Sequence, residues 1–141
     1  MASLKDVKDL LMQLISTMGR IMLASLLVVL ISACSSTSYE EKSKIFAAER
    51  AAMLSRIVPV DMNGYNLVRV KAEGSNIELT LLYTGGIDVV PIVLVKNIKK
   101  TYCSDTEVVS LMEKGVGYKL IFRDMRGRPV LENLISYQDC E

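Results

Sequence analysis

The stretch YNLVRVKAEGSNIELTLLY, residues 65–83, decides the fold. Leu67, Arg69 and Lys71 alternate with Val68, Val70 and Ala72; Glu73-Gly74-Ser75-Asn76 supplies a turn; Ile77, Leu79, Leu81 and Tyr83 then alternate with Glu78 and Thr80. A period of two sends successive side chains to opposite faces of a strand, so this stretch is a hairpin. Gly85-Gly86 ends it. The same pattern closes the chain: Tyr118, Leu120 and Phe122 alternate with Lys119, Ile121 and Arg123, a turn follows over residues 124–129, and Val130 to Tyr137 returns.

Between the hairpins the period changes. Val89, Val90, Ile92, Val93 and Val95 favour a strand by propensity. Ile92, Val95, Ile98 and Tyr102, however, fall three to four apart, with Lys96, Lys99 and Lys100 on the other side and Pro91 suited to a first helical turn. We therefore expect a helix from Val89 to Cys103. Ser104-Asp105-Thr106-Glu107 has the form of a capping box and opens a short helix through Leu111 and Met112 that stops at Gly115. Upstream, Ser38-Tyr39-Glu40-Glu41 is a second capping box, and Phe46, Met53 and Ile57 recur at helical spacing before Pro59. The order helix, hairpin, helix, helix, hairpin predicts a single α+β domain over residues 39–141. Its antiparallel sheet of about four to five strands carries helices on one face.

Composition narrows the function. The chain of 141 residues has 17 Lys+Arg against 16 Asp+Glu and no His. Without imidazole, His-based nucleophile activation and ligation of metals by histidine are closed. A Ser-Lys dyad or paired carboxylates would have to carry any hydrolase, and no such set stands out from surface charge. Near-neutrality argues against nucleic acid as a partner, and no small-molecule substrate or dissociable cofactor is expected.

The apolar residues are unevenly spread. Ile21 to Ile31 is an uncharged run of 11, apolar except for Ser25, preceded by Arg20 and followed by small residues. A bilayer-spanning helix needs about 20 apolar residues, so the run has the length of a signal-peptide core. Ile31-Ser32-Ala33-Cys34 resembles the lipobox of bacterial lipoproteins. The resemblance implies a signal peptide over residues 1–33, cleavage after Ala33, and a diacylglyceryl group plus an N-acyl chain on Cys34. Two chains already suffice for stable anchoring. Residues 34–38 would form a polar tether. Ser35, in place of Asp, resembles the sorting signal that permits export to the outer membrane. Residues 1–19 are long for a charged leader and include Asp6 and Asp9, so translation from Met18 or Met12 is expected to give the more usual precursor.

Removal of the leader leaves equal numbers of basic and acidic side chains and two thiols besides Cys34. An even pair in an exported protein, with no C-x-x-C spacing, points to a Cys103–Cys140 disulfide.

Across residues 39–140 the chain resembles type II secretion pilotins of the AspS class. Asn63-Gly64-Tyr65-Asn66-Leu67, Tyr102-Cys103-Ser104-Asp105, residues 111–118 (LMEKGVGY), Arg123-Asp124-Met125-Arg126-Gly127 and the terminal Cys140 carry the resemblance by their order and spacing. It implies a non-enzymatic lipoprotein facing the periplasm from the outer membrane. Such a protein binds the C-terminal segment of a secretin subunit and is carried by the lipoprotein-sorting machinery; the resemblance also implies the Cys103–Cys140 bridge. Phe46 and Met53 on the first helix, and Ile92, Val95, Ile98 and Tyr102 on the second, are candidates for the partner groove, because both helices carry more apolar residues than one face needs. Ordinary core is the competing expectation at each of them. A small lipoprotein inhibitor or envelope binding module with another partner is the alternative function.

Overall fold

The computed structural model describes residues 8, 9, 12, 13, 34–86 and 90–141. The chain divides into two compact units, Met1–Ser38 and Tyr39–Glu141. In the first, the described residues 8, 9, 12 and 13 are helical. The expected cleavage residues Ile31, Ser32 and Ala33, and the alternative start Met18, lie outside the described residues. Among the described residues, no helix is long and apolar enough to cross a membrane.

The chain builds helix α1 (Cys34–Leu54), strands β1 (Val60–Met62), β2 (Tyr65–Glu73) and β3 (Asn76–Tyr83), helices α2 (Pro91–Ser104) and α3 (Thr106–Glu113), and strands β4 (Gly117–Arg123) and β5 (Pro129–Ile135). A 3-10 turn follows over Tyr137–Cys140. The five strands lie in sheet order β1-β2-β3-β4-β5. This is the expected α+β arrangement, with refinements.

The hairpin β2–β3 pairs Glu73 with Asn76 across its turn, where Gly74 takes φ +61°. An additional edge strand, β1, pairs antiparallel with β2 through a turn at Asn63 and Gly64, both at positive φ. Two such residues in succession suit the hairpin turn whose twist matches the strands. The sheet is not wholly antiparallel: β3 runs parallel to β4, with Leu79 opposite Leu120. Parallel neighbours need a long crossover, and here α2 and α3 provide it.

One sheet face supplies most of the core. Leu67, Val70, Ile77, Leu79, Leu81, Tyr118, Leu120, Phe122 and Ile135 cluster with Ala47 and Ala51 of α1, Leu94, Val95 and Ile98 of α2, and Val108 and Met112 of α3. Truncating a fully buried member such as Phe122 to Ala costs about 3–5 kcal/mol. The opposite face carries a ladder of alternating charge: Lys71 reaches Glu78 at 3.2 Å and Lys119 reaches Glu132 at 3.4 Å. Burial pushes the Glu78 carboxyl up, but hydrogen bonds with Glu73 and Lys71 and the charges of Lys71 and Lys119 outweigh it and hold the group below its usual range.

Local chemistry refines the helix boundaries. The cap of α3 is Asp105, not Ser104: its carboxylate accepts from the N–H groups of Glu107 (2.9 Å) and Val108 (3.2 Å), while the Ser104 hydroxyl donates back to Lys100. Pro91 does open α2. Helix α1 begins upstream of the Ser38 capping box, at Cys34, so the expected polar tether 34–38 has helical backbone. The last strand ends at Ile135, and Tyr137 belongs to the 3-10 turn.

Candidate functional site

Helix α1 docks through small residues. Ser43, Ala47 and Ala51 are buried at four-residue spacing, flanked by half-buried Phe46, Arg50 and Leu54. Two polar ties hold α1 antiparallel to α3. At one end the Tyr39 hydroxyl donates to the Glu113 carbonyl oxygen at 2.7 Å. At the other, Arg50 Nη1 donates to Glu107 Oε1 at 2.8 Å. The Tyr39 end is set by the close of α3, where Gly115 N–H bonds to Met112 and Val116 N–H to Leu111, a Schellman closure.

Between the two ties the helices leave a cleft of about 210 Å³, lined by Phe46, Glu49, Arg50, Met53, Glu107, Ser110, Leu111 and Lys114. Phe46 and Leu111 form an apolar floor packed against the core. Lys114 Nζ stands 5.1 Å from the centre of the Phe46 ring, close enough for a cation–π contact. Beneath Arg50 lie two tyrosines, Tyr102 and Tyr118, with ring centres 4.7 Å apart. Burial, then the neighbouring Tyr118, push the Tyr102 phenol up to about 12 against the opposing charge of Arg50.

The six candidate groove residues separate into distinct environments. Val95 and Ile98 are each 5% exposed and belong to the core. Tyr102 is half-buried against the same core. Phe46 and Met53 meet in the α1–α3 cleft, with Met53 51% exposed at its mouth. Ile92 is exposed, beside Val90 and Val93, at the start of α2. Leu111 and Lys114, the α3 side of the cleft, were not singled out by sequence reasoning. The signal for Leu111 was present in the apolar spacing of Val108, Leu111 and Met112, which is wider than one buried stripe requires.

Cys103 and Cys140 are joined in a disulfide with Cα atoms 5.2 Å apart, tying α2 to the chain end. Asp139 reinforces the same corner. Its carboxylate accepts from the Ser136 N–H at 2.9 Å and from Lys99 at 3.0 Å. Thus Lys99, of the basic trio on α2, is engaged within the domain. Cys34 and Ser35 occupy the first turn of α1. Among the described residues there is no cluster of His, Cys, Asp and Glu able to hold a metal ion.

The family model for the type II secretion system pilotin, S protein, matches residues 39–140. The chain belongs to that pilotin family. Pilotins are non-enzymatic accessory proteins of type II secretion, associated with the cell envelope. Solved structures share the fold. The pilotin EpsS of the Vibrio vulnificus type 2 secretion system superposes with a TM-score of 0.67 at 21% identity, over 74% of this chain and 97% of that one. The pilotin AspS of Vibrio cholerae gives 0.67 at 21% identity, over 75% and 99%. A secreted protein of Pseudomonas aeruginosa gives 0.63 at 16% identity, over 73% and 96%. No curated protein matches the chain. Since the Pseudomonas protein has the same fold under a different description, the family match rather than the fold assigns this chain to the pilotins.

Proposed function

We propose that this pilotin is an outer-membrane lipoprotein that binds the C-terminal segment of a type II secretion secretin and promotes its targeting and assembly in the outer membrane. The observation that carries the proposal is the family match, which spans almost the whole folded unit from Tyr39 to Cys140. The diacylglyceryl and N-acyl groups reside on Cys34, residues 31–33 direct cleavage, and Ser35 permits release to the lipoprotein-sorting machinery. The folded domain faces the periplasm.

The chemistry is one of binding and transport. A secretin segment whose apolar side is exposed before assembly is hydrophobic cargo, and a small domain with an apolar cleft shields it while the acyl chains bring the pair to the membrane. The decisive experiment combines a pull-down of the secretin C-terminal segment with secretin fractionation in a strain lacking the pilotin. Capture of the segment, together with loss of secretin multimers from the outer membrane, supports the proposal. Absence of capture with normally placed multimers overturns it.

A further inference from the structure

We propose that the outward face of α2 is a second membrane contact, laid on the anionic surface of the bilayer that holds the acyl chains of Cys34. This rests on the lipid-anchor part of the proposed function and adds to it which side of the domain lies on the membrane.

The face joins exposed apolar groups to unmatched cations. Val90, Ile92 and Val93 are half-exposed at its start, while the other side of the same helix buries Leu94, Val95 and Ile98 in the core. Lys96 and Lys100 follow Val93 at helical spacing, so all three share one exposed side. Among the described residues neither lysine joins an ion pair, whereas Lys99 is held by Asp139. Residues 89–104 contain three lysines and no acidic residue. The far face of the sheet is the contrast: there Lys71 is matched by Glu78 and Lys119 by Glu132.

Composition selects a lipid surface over a protein. The anchors of protein interfaces are mostly Trp, Tyr and Arg, and lysine is depleted there. This face offers none of the three, since Tyr102 of α2 packs against the core. Aliphatic side chains beside lysines are what an interfacial helix presents. The apolar groups enter the headgroup boundary, and the lysine stems lie along it with their ammonium groups at the phosphates.

The acyl anchor makes so small a patch sufficient. Near an anionic surface each lysine contributes about fivefold in affinity. Two lysines and three aliphatic side chains form a weak site for a free protein. With acyl chains already inserted, the contact forms within a bound molecule and needs no second encounter. It then decides orientation: α2 lies against the bilayer, and the far face of the sheet, with its matched charges, turns to the periplasm.

The chain contains no Trp, so one introduced indole reports its own surroundings. The acylated protein is placed on vesicles of phosphatidylcholine and phosphatidylglycerol whose acyl chains are brominated near the headgroups, where bromine quenches an indole that enters the bilayer. Val93→Trp should be quenched, with blue-shifted emission. Leu134→Trp, half-exposed and paired with Lys119 on the far face of the sheet, should not be. Both positions tolerate bulk toward solvent, so melting should match the wild type. Adding Lys96→Glu and Lys100→Glu to the Val93→Trp protein should lower the ratio of docked to undocked domain at least about fivefold, as should vesicles of phosphatidylcholine alone. A Val93→Trp protein that floats with the vesicles but is not quenched overturns the proposal and leaves the anchor standing, the outcome expected if an acidic polypeptide is the true occupant. Equal quenching at both positions, or quenching indifferent to the two charge reversals, overturns it as well. If the acylated protein does not float with the vesicles, the anchor reading itself fails and this contact falls with it.

Discussion

The Tyr39 hydroxyl donates to the Glu113 carbonyl oxygen at 2.7 Å, so a side chain near the start of the folded unit closes an end of α3 that lies 74 residues further along. The same ring lies against Gly115. A Cβ on that glycine would sit 3.2 Å from Tyr39 Cε1, and its φ of +86° already disfavours any L side chain. Gly115→Ala is therefore expected to cost about 1–2 kcal/mol from the backbone alone. Tyr39→Phe, which removes one exposed hydrogen bond, should cost about 0.5–1 kcal/mol. Urea unfolding of both variants checks the ranking; a costlier Tyr39→Phe would mean that the hydroxyl, not the glycine, governs this junction.

Asp139 should make the chain end acid-sensitive. The Ser136 backbone N–H, followed by Lys99, holds its carboxyl below the usual 3.8. A carboxyl with a depressed folded value adds stability that is complete above the unfolded value and disappears as pH falls through the folded one. Asp139→Asn should thus cost about 1 kcal/mol at neutral pH, mainly through the lost cap, and nearly nothing well below pH ~4. Half-exposed Lys99 adds little because water screens the pair. Chemical unfolding of both proteins at neutral and strongly acid pH measures the difference, and a cost that persists in acid would rule out the ionised cap.

The disulfide Cys103–Cys140 closes a loop of 37 residues. Loop-closure entropy then gives about 3–4 kcal/mol. The Cys103→Ser, Cys140→Ser double variant should lose stability on that scale, and a reductant should lower the melting temperature of the wild type but not of the variant. Equal sensitivity of the two proteins to reductant would exclude the bridge as the cause.

The proposed anchoring is tested at Cys34 and Ser35. Cys34→Ala is expected to abolish metabolic labelling with a fatty-acid analogue, and Ser35→Asp to shift the protein toward inner-membrane fractions with its labelling intact. Labelling that survives Cys34→Ala would place the lipid elsewhere, and unchanged fractionation of the Ser35→Asp protein would remove the sorting role of residue 35.

How much of this was legible beforehand depended on how local the determinants were. The hairpin of residues 65–83 and the helix after Pro91 carry their period in adjacent residues, and both stand. β1 was missed because three residues cannot display a period, although Asn63-Gly64 between Met62 and Tyr65 is a strong hairpin signal. The parallel pairing of β3 with β4 was not legible from the hairpins, since pairing between distant segments depends on how the crossover packs. At the cleft, Phe46 and Met53 showed their spacing. Val95 and Ile98 showed the same spacing but are core residues, because period identifies an apolar stripe and not what covers it. Lys114 gave no signal: a lone lysine becomes distinctive only when the fold sets it over Phe46.

The parallel seam between β3 and β4 has a kinetic meaning. Each flanking hairpin can close from neighbouring residues within microseconds, but Leu79 meets Leu120 only after the intervening crossover has been ordered. Long-range pairing of this kind slows folding because its entropy is lost before its contacts form. Such a chain folds as two local halves that are joined last through their centre. The bridge between Cys103, within the crossover, and Cys140, beyond the second hairpin, would lock that assembly order in place. Late closure predicts φ-values near zero for core residues of the crossover such as Leu94→Ala and Ile98→Ala, alongside higher values within the β2–β3 hairpin.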